Sequence, residues 1–196
     1  MPEVPRVGGV VLAAGASSRM GVNKMLLELD GEPLVRRAAQ RALAAGLSPV
    51  VVVLGRDAPA VRQALANLAV AIAENPDFTG PTSRSLHRGL ACLPRDVAGA
   101  VVVLGDMVHV TDRMLAAVAR TATRTRAPLV SSRYGDIIAP PLFLRRELFR
   151  EMRGRNSDGG GKAIVARHRD QAIFVDWPES CLGDMDTPED LDALRR

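Results

Sequence analysis

Five consecutive apolar residues, Val50–Leu54, constrain the fold of this chain more than any other stretch. No polar residue alternates among them, so they describe a strand covered on both faces, as in a parallel sheet clad by helices. Two runs of the same kind, Val-Val-Leu-Ala-Ala at 10–14 and Ala-Val-Val-Val-Leu at 100–104, add further buried strands. Helical patterns separate them. Pro33 opens a helix over 34–45 that Gly46 closes, after a brief extended segment at 26–29 and an Asp30-Gly31 turn. A helix at 58–67 places Val61, Leu65 and Leu68 on one face, and 70–73 is a short strand. Ser83 is positioned to cap a helix reaching Cys92, and Thr111 or Asp112 to cap one that turns Met114, Leu115 and Val118 inward.

Beyond these, 129–132 reads as a strand and 145–152 as helical. The segment 136–144 contains two prolines and reads as an irregular or edge element. A glycine-rich loop at 153–161 leads to a helix at 162–167, a last strand at 172–176 and a final helix starting near Pro188. Strands alternating with helices predict an α/β three-layer sandwich with a mostly parallel sheet, in one domain over 1–196.

Composition excludes several classes of function. No apolar run approaches the roughly 20 residues that span a bilayer, and the N-terminus lacks a signal-peptide pattern. The expectation is a cytoplasmic chain without membrane association. Cys92 and Cys181 lie far apart with no Cys-x-x-Cys spacing, which argues against zinc and for two small buried hydrophobes. The net charge is +4, with ten arginines crowded between Arg113 and Arg155 and an acidic stretch at the end. Basic excess can mark nucleic-acid binding. Aromatics make up only 3% of the chain, so stacking platforms are nearly absent, and most of these arginines read as solvated helix faces.

Ligands of parallel α/β sheets bind outside the carboxyl ends of the strands. At the end of the first strand the chain becomes small and polar, Gly15-Ala16-Ser17-Ser18-Arg19-Met20-Gly21, followed by Lys24. Gly15 lets a ligand approach the backbone, neighbouring amides can face an anion, and Arg19 and Lys24 add fixed positive charge. Five residues separate Gly15 from Gly21, and Lys24 comes three later, so this is no Walker loop; nor does any Gly-x-Gly-x-x-Gly follow the strand. Asp106, after the 100–104 strand, is suited to Mg²⁺, which takes one or two carboxylates plus phosphate and water oxygens. It is equally suited to a plain turn or helix cap. Asp184 and Asp186 offer a second carboxylate, with capping of the last helix as the alternative.

The chain resembles the MobA-like nucleotidyltransferases, in particular the molybdenum cofactor cytidylyltransferase branch. The resemblance rests on Leu12-Ala13-Ala14-Gly15, Ser17, Arg19-Met20-Gly21 and Lys24-x-Leu26-Leu27. It continues through Asn75-Pro76-Asp77-Phe78, Gly80, Ser83-x-Ser85-Leu86 and Gly89-Leu90, then Leu104-Gly105-Asp106-Met107 with Val110-Thr111 and Pro141-x-Phe143. Asp158-x-Gly160-x-Lys162-Ala163 and Asp184-x-Asp186-Thr187-Pro188 complete it in family order.

The resemblance implies a GT-A-like, Rossmann-like fold and Mg²⁺-dependent transfer of a nucleoside monophosphate with release of pyrophosphate. It implies that Leu12, Ala13, Ala14, Gly15, Gly80 and Ser85 surround the nucleotide and that Arg19 and Lys24 hold its phosphates. Asp106 then holds metal, with Asp184 and Asp186 as its second contact. Ala13-Ala14-Gly15 goes with CTP rather than GTP in that family, whose acceptor is the terminal phosphate of molybdopterin carrying molybdenum; a molybdenum hydroxylase apoenzyme would receive the product. The chain departs from the family pattern at Val108-His109, at 81–84, at Ala139 and at Lys162. Three other readings fit the same residues: another triphosphate such as GTP, another phosphorylated acceptor such as a sugar or polyol phosphate, or a non-catalytic chaperone that delivers the molybdenum cofactor.

Overall fold

In the computed structural model, which describes residues 5–15, 22–152 and 160–183, the three apolar runs lie side by side in a seven-stranded sheet. β1 (Val7–Ala13) leads, through a short helical turn at Lys24–Leu26, to a two-stranded ribbon of β2 (Glu28–Leu29) and β3 (Glu32–Pro33), then to α1 (Leu34–Ala44). β4 (Val50–Leu54), α2 (Ala58–Ala64), β5 (Val70–Glu74), α3 (Thr82–Ala91), β6 (Gly99–Leu104) and α4 (Asp112–Arg124) follow. β7 (Leu129–Tyr134), β8 (Ile137–Arg145), a 3-10 segment at Arg146–Met152, α5 (Gly160–Arg167) and β9 (Ala172–Trp177) complete it. The strand order is β5-β4-β1-β6-β8-β7-β9. Only β8 runs antiparallel to its neighbours.

Alternate residues of each central strand face opposite layers, which is why the runs are apolar throughout. Val11, Val52, Val101 and Val103 pack with Val35 and Ala39 of α1 and with Met114, Leu115 and Val118 of α4. Val10, Leu12, Val51, Val53 and Val102 pack on the other side with Leu86 and Leu90 of α3 and Ile164 of α5. α3 comes close because Gly89 has no side chain: a Cβ there would lie 2.5 Å from Val10 Cγ1 and 2.8 Å from Val53 Cγ2. Both valines are on packed central strands and have nowhere to move, so Gly89→Ala is expected to cost about 1–3 kcal/mol, typical of overpacking. A urea titration showing no shift in midpoint would contradict this packing.

Several sequence expectations need correction. The 136–144 segment is not an edge: it is β8, hydrogen-bonded between β6 and β7. The prolines are tolerated because the β7–β8 register jumps from Ser131↔Leu142 to Ser132↔Ala139, leaving Pro140 and Pro141 in a bulge where no ladder N–H is required. Their carbonyls are satisfied by side chains instead: the Tyr134 hydroxyl donates to Pro140 O at 2.9 Å and the Ser132 hydroxyl to Pro141 O at 2.8 Å. Ser83 does not cap α3. Pro81 holds that place, and the Ser83 hydroxyl is buried in the first turn without a hydrogen-bond partner among the described residues. α2 ends at Ala64, short of the expected 67, and α5 begins at Gly160 rather than 162. Cys92 is exposed and Cys181 half-buried, so neither is the buried hydrophobe expected. Among the described residues no helix is long and apolar enough to cross a membrane.

Candidate active site

β1, β4, β5 and β6 all end on one edge of the sheet, and the chemistry-bearing loops leave from there. Leu12 and Ala13 are the buried last residues of β1, and Leu12 O accepts from Gly105 N at 2.9 Å. Ala14 is buried; Gly15 is exposed, with no atom of the described residues beyond its chain neighbours within 4 Å of where a Cβ would project. Gly15 thus presents backbone without a side chain at the carboxyl end of β1.

The turn that carries Lys24 is fixed by Asn23. This buried side chain accepts from Met25 N at 3.1 Å and donates through Nδ2 to Arg56 O at 2.8 Å. The asparagine thus caps the turn and ties it to the loop after β4. Met25 then packs directly on the end of β6: its sulfur lies 2.6 Å from where a Gly105 Cβ would stand. A larger residue at 105 would require the Met25 side chain to move. Lys24 Nζ donates to Asp106 Oδ2, with the two side chains 14% and 12% exposed. An ion pair so poorly hydrated is a strong local interaction and holds a charged pair ready at the strand ends.

A second loop organises beside them. Asn75, buried after β5, accepts from Asp77 N at 3.1 Å and from Arg88 Nε at 3.2 Å and donates to Ser85 Oγ at 2.9 Å. This fixes the turn leading to Gly80, which is exposed. Ser85 is buried and engaged by Asn75, so its hydroxyl supports the loop from α3. Arg19, Asp184 and Asp186 lie outside the described residues. Lys24 and Asp106 are thus brought into contact, with Gly15 at the neighbouring strand end. Asn23 and Asn75 hold these two loops in place; Asn75 belongs to the motifs that carry the resemblance, whereas Asn23 does not, and its signal is its place as a capping residue immediately before the lysine.

The donor set can be tested against a metal. Among the described residues no three His, Cys, Asp or Glu side chains converge, and Asp106 is the carboxylate at the strand ends that Lys24 touches. A single hard carboxylate beside an ammonium fits a cation of the Mg²⁺ type, which draws most ligands from phosphate and water. Asp106 would hold it.

Residues 9–172 match the MobA-like NTP transferase domain. The chain is 37% identical over 158 residues to the bifunctional protein GlmU of Anaeromyxobacter sp. (strain K), covering 76% of this chain and 31% of that protein. It thus spans about a third of the length of that relative. It is 29% identical to the purine catabolism protein PucB of Bacillus subtilis, over 98% of this chain and 97% of that one. It is 38% identical to a probable molybdenum cofactor guanylyltransferase of Natronomonas pharaonis, over 55% and 52%. The Rv0371c structure from Mycobacterium tuberculosis superposes with a TM-score of 0.83 at 27% identity, covering 98% of both chains, and that protein is also known as a manganese complex.

Proposed function

The chain belongs to the MobA-like NTP transferase family, and from that premise we propose that it transfers CMP from CTP to the terminal phosphate of molybdopterin carrying molybdenum. One acceptor phosphate oxygen attacks the α-phosphorus, the α–β phosphoanhydride bond breaks, and pyrophosphate leaves. The observation that carries this reading is the poorly hydrated Lys24–Asp106 pair beside the open backbone at Gly15. Transfer of this kind depends on positioning and charge neutralisation more than on a strong base. Lys24 turns its ammonium from Asp106 to the triphosphate, Arg19 holds the phosphates alongside it, and Gly15 and its neighbours take the nucleotide against the strand end. With that ammonium turned away, Asp106 would hold a divalent cation, and Asp184 or Asp186 would be the further contact. Mg²⁺, when bound, neutralises phosphate charge. The acceptor phosphate is already ionised, so no general base is needed. The setting is cytoplasmic, and the product goes to a molybdenum hydroxylase apoenzyme.

The base is read from Ala13-Ala14-Gly15. A second reading, GTP, is favoured by the guanylyltransferase relative. With Mg²⁺ present, CTP is expected to raise the melting temperature more than GTP, ATP or UTP at equal concentration, since stabilisation grows with the logarithm of ligand concentration over Kd. Preferential stabilisation by GTP would overturn the assignment. A protein that binds molybdopterin but releases no pyrophosphate with any triphosphate would instead be a delivery chaperone.

A further inference from the structure

The arginines on α1 do not point into solvent. Arg36 donates from one nitrogen to Ala64 O and Ala66 O, both at 3.0 Å, and Arg37 donates to Leu29 O at 2.9 Å. Arg41, one turn further on, donates from one nitrogen to Val108 O and Val110 O, both at 2.8 Å. The carbonyls belong to the loop that begins at Asp106 and ends at the Thr111 cap of α4. Burial, with Arg37 adding to it, pulls the Arg41 guanidinium below the usual arginine range, while Asp112 opposes the shift. Its donation to the two carbonyls joins α1 directly to that loop.

The bracketed residue is His109. Its own side chain is exposed, and its ring stands against Gly183, with Cδ2 2.8 Å from where a glycine Cβ would be. Gly183 immediately precedes Asp184. One side chain therefore ties α1 to the loop that follows Asp106.

We propose that Arg41 is a positioning residue for the cation side of the site: it fixes residues 107–110 so that Asp106 and His109 keep their places. The role rests on the nucleotidyltransferase reading above. Arg36 supplies an internal control, since it grips two carbonyls from the same helix in the same way but at the end of α2, on a different loop.

The test is Mn²⁺ titration of the full chain in the presence of CTP, followed by electron paramagnetic resonance, alongside turnover and melting temperature. Arg41→Ala is expected to weaken Mn²⁺ binding by about tenfold, as for loss of an outer partner of a metal ligand, with the KM for CTP at saturating metal unchanged. Arg41→Lys, whose ammonium has donors for both carbonyls, recovers most of the loss. Arg36→Ala lowers the melting temperature and leaves Mn²⁺ affinity as in the parent. Parent-like Mn²⁺ affinity in Arg41→Ala, or equal weakening in Arg36→Ala, overturns the positioning role alone. A parent protein that binds no Mn²⁺ with CTP overturns the site reading and this role with it.

Discussion

Asp106→Asn is expected to reduce pyrophosphate release by about three orders of magnitude, the ~4 kcal/mol typical of losing one element of transition-state charge stabilisation. The amide keeps the shape of the carboxylate and removes its charge, so CTP binding in the absence of metal should persist. Stability without ligands should fall as well. Removing one partner of a fully buried pair costs about 3–5 kcal/mol; about 2 kcal/mol is expected here, because both side chains keep some contact with water and Lys24 has further interactions. Pyrophosphate release measured under single turnover, with a urea midpoint on the ligand-free protein, checks both. Turnover within tenfold of the parent would remove Asp106 from the reaction.

Lys24→Met is expected to lose a similar factor in turnover, roughly 10³, because the charge building on the phosphates is no longer met by a fixed cation. The two variants should separate in metal binding. In the ligand-free protein the Lys24 ammonium occupies Asp106. Removing it exposes the carboxylate to a cation, so Mn²⁺ should bind Lys24→Met more tightly than the parent when no nucleotide is present, and Asp106→Asn more weakly. The sign follows from competition between two cations for one carboxylate. Weaker Mn²⁺ binding in Lys24→Met would mean that the pair is structural and not displaced by metal.

Much of this was legible in the chain where the signal is local. Val50–Leu54 becomes a strand over those same residues, since five apolar residues in a row have few alternatives. α1 starts after Pro33, and Gly46 adopts the left-handed φ of +78° that glycine accepts readily. What failed depended on distant partners. The prolines of β8 argue for an edge until Tyr134 and Ser132 are seen to satisfy their carbonyls in a bulge. Ser83 has a capping side chain but sits inside the first turn, two residues past the cap. Most of the arginines between 113 and 155 read as solvated; which ones are not depends on tertiary partners, as where Arg145 donates to the carbonyls of Ala122, Thr125 and Ala127.

The candidate site was legible to a similar depth. Spacing and resemblance placed Lys24 and Asp106 together, 82 residues apart, but not their direct pairing. That pairing goes with the packing of Met25 against Gly105, a contact between segments distant in sequence. Asn23 and Asn75 act by tying loops to carbonyls and hydroxyls elsewhere in the chain, so their importance emerges only once those partners are adjacent.

Pyrophosphate release with each triphosphate, with and without molybdopterin carrying molybdenum, tests the account most directly. With Mg²⁺ and CTP, release should require the molybdopterin acceptor, reach one pyrophosphate per acceptor, and disappear in Asp106→Asn. No release with any triphosphate, from a protein that binds CTP and molybdopterin, would contradict it.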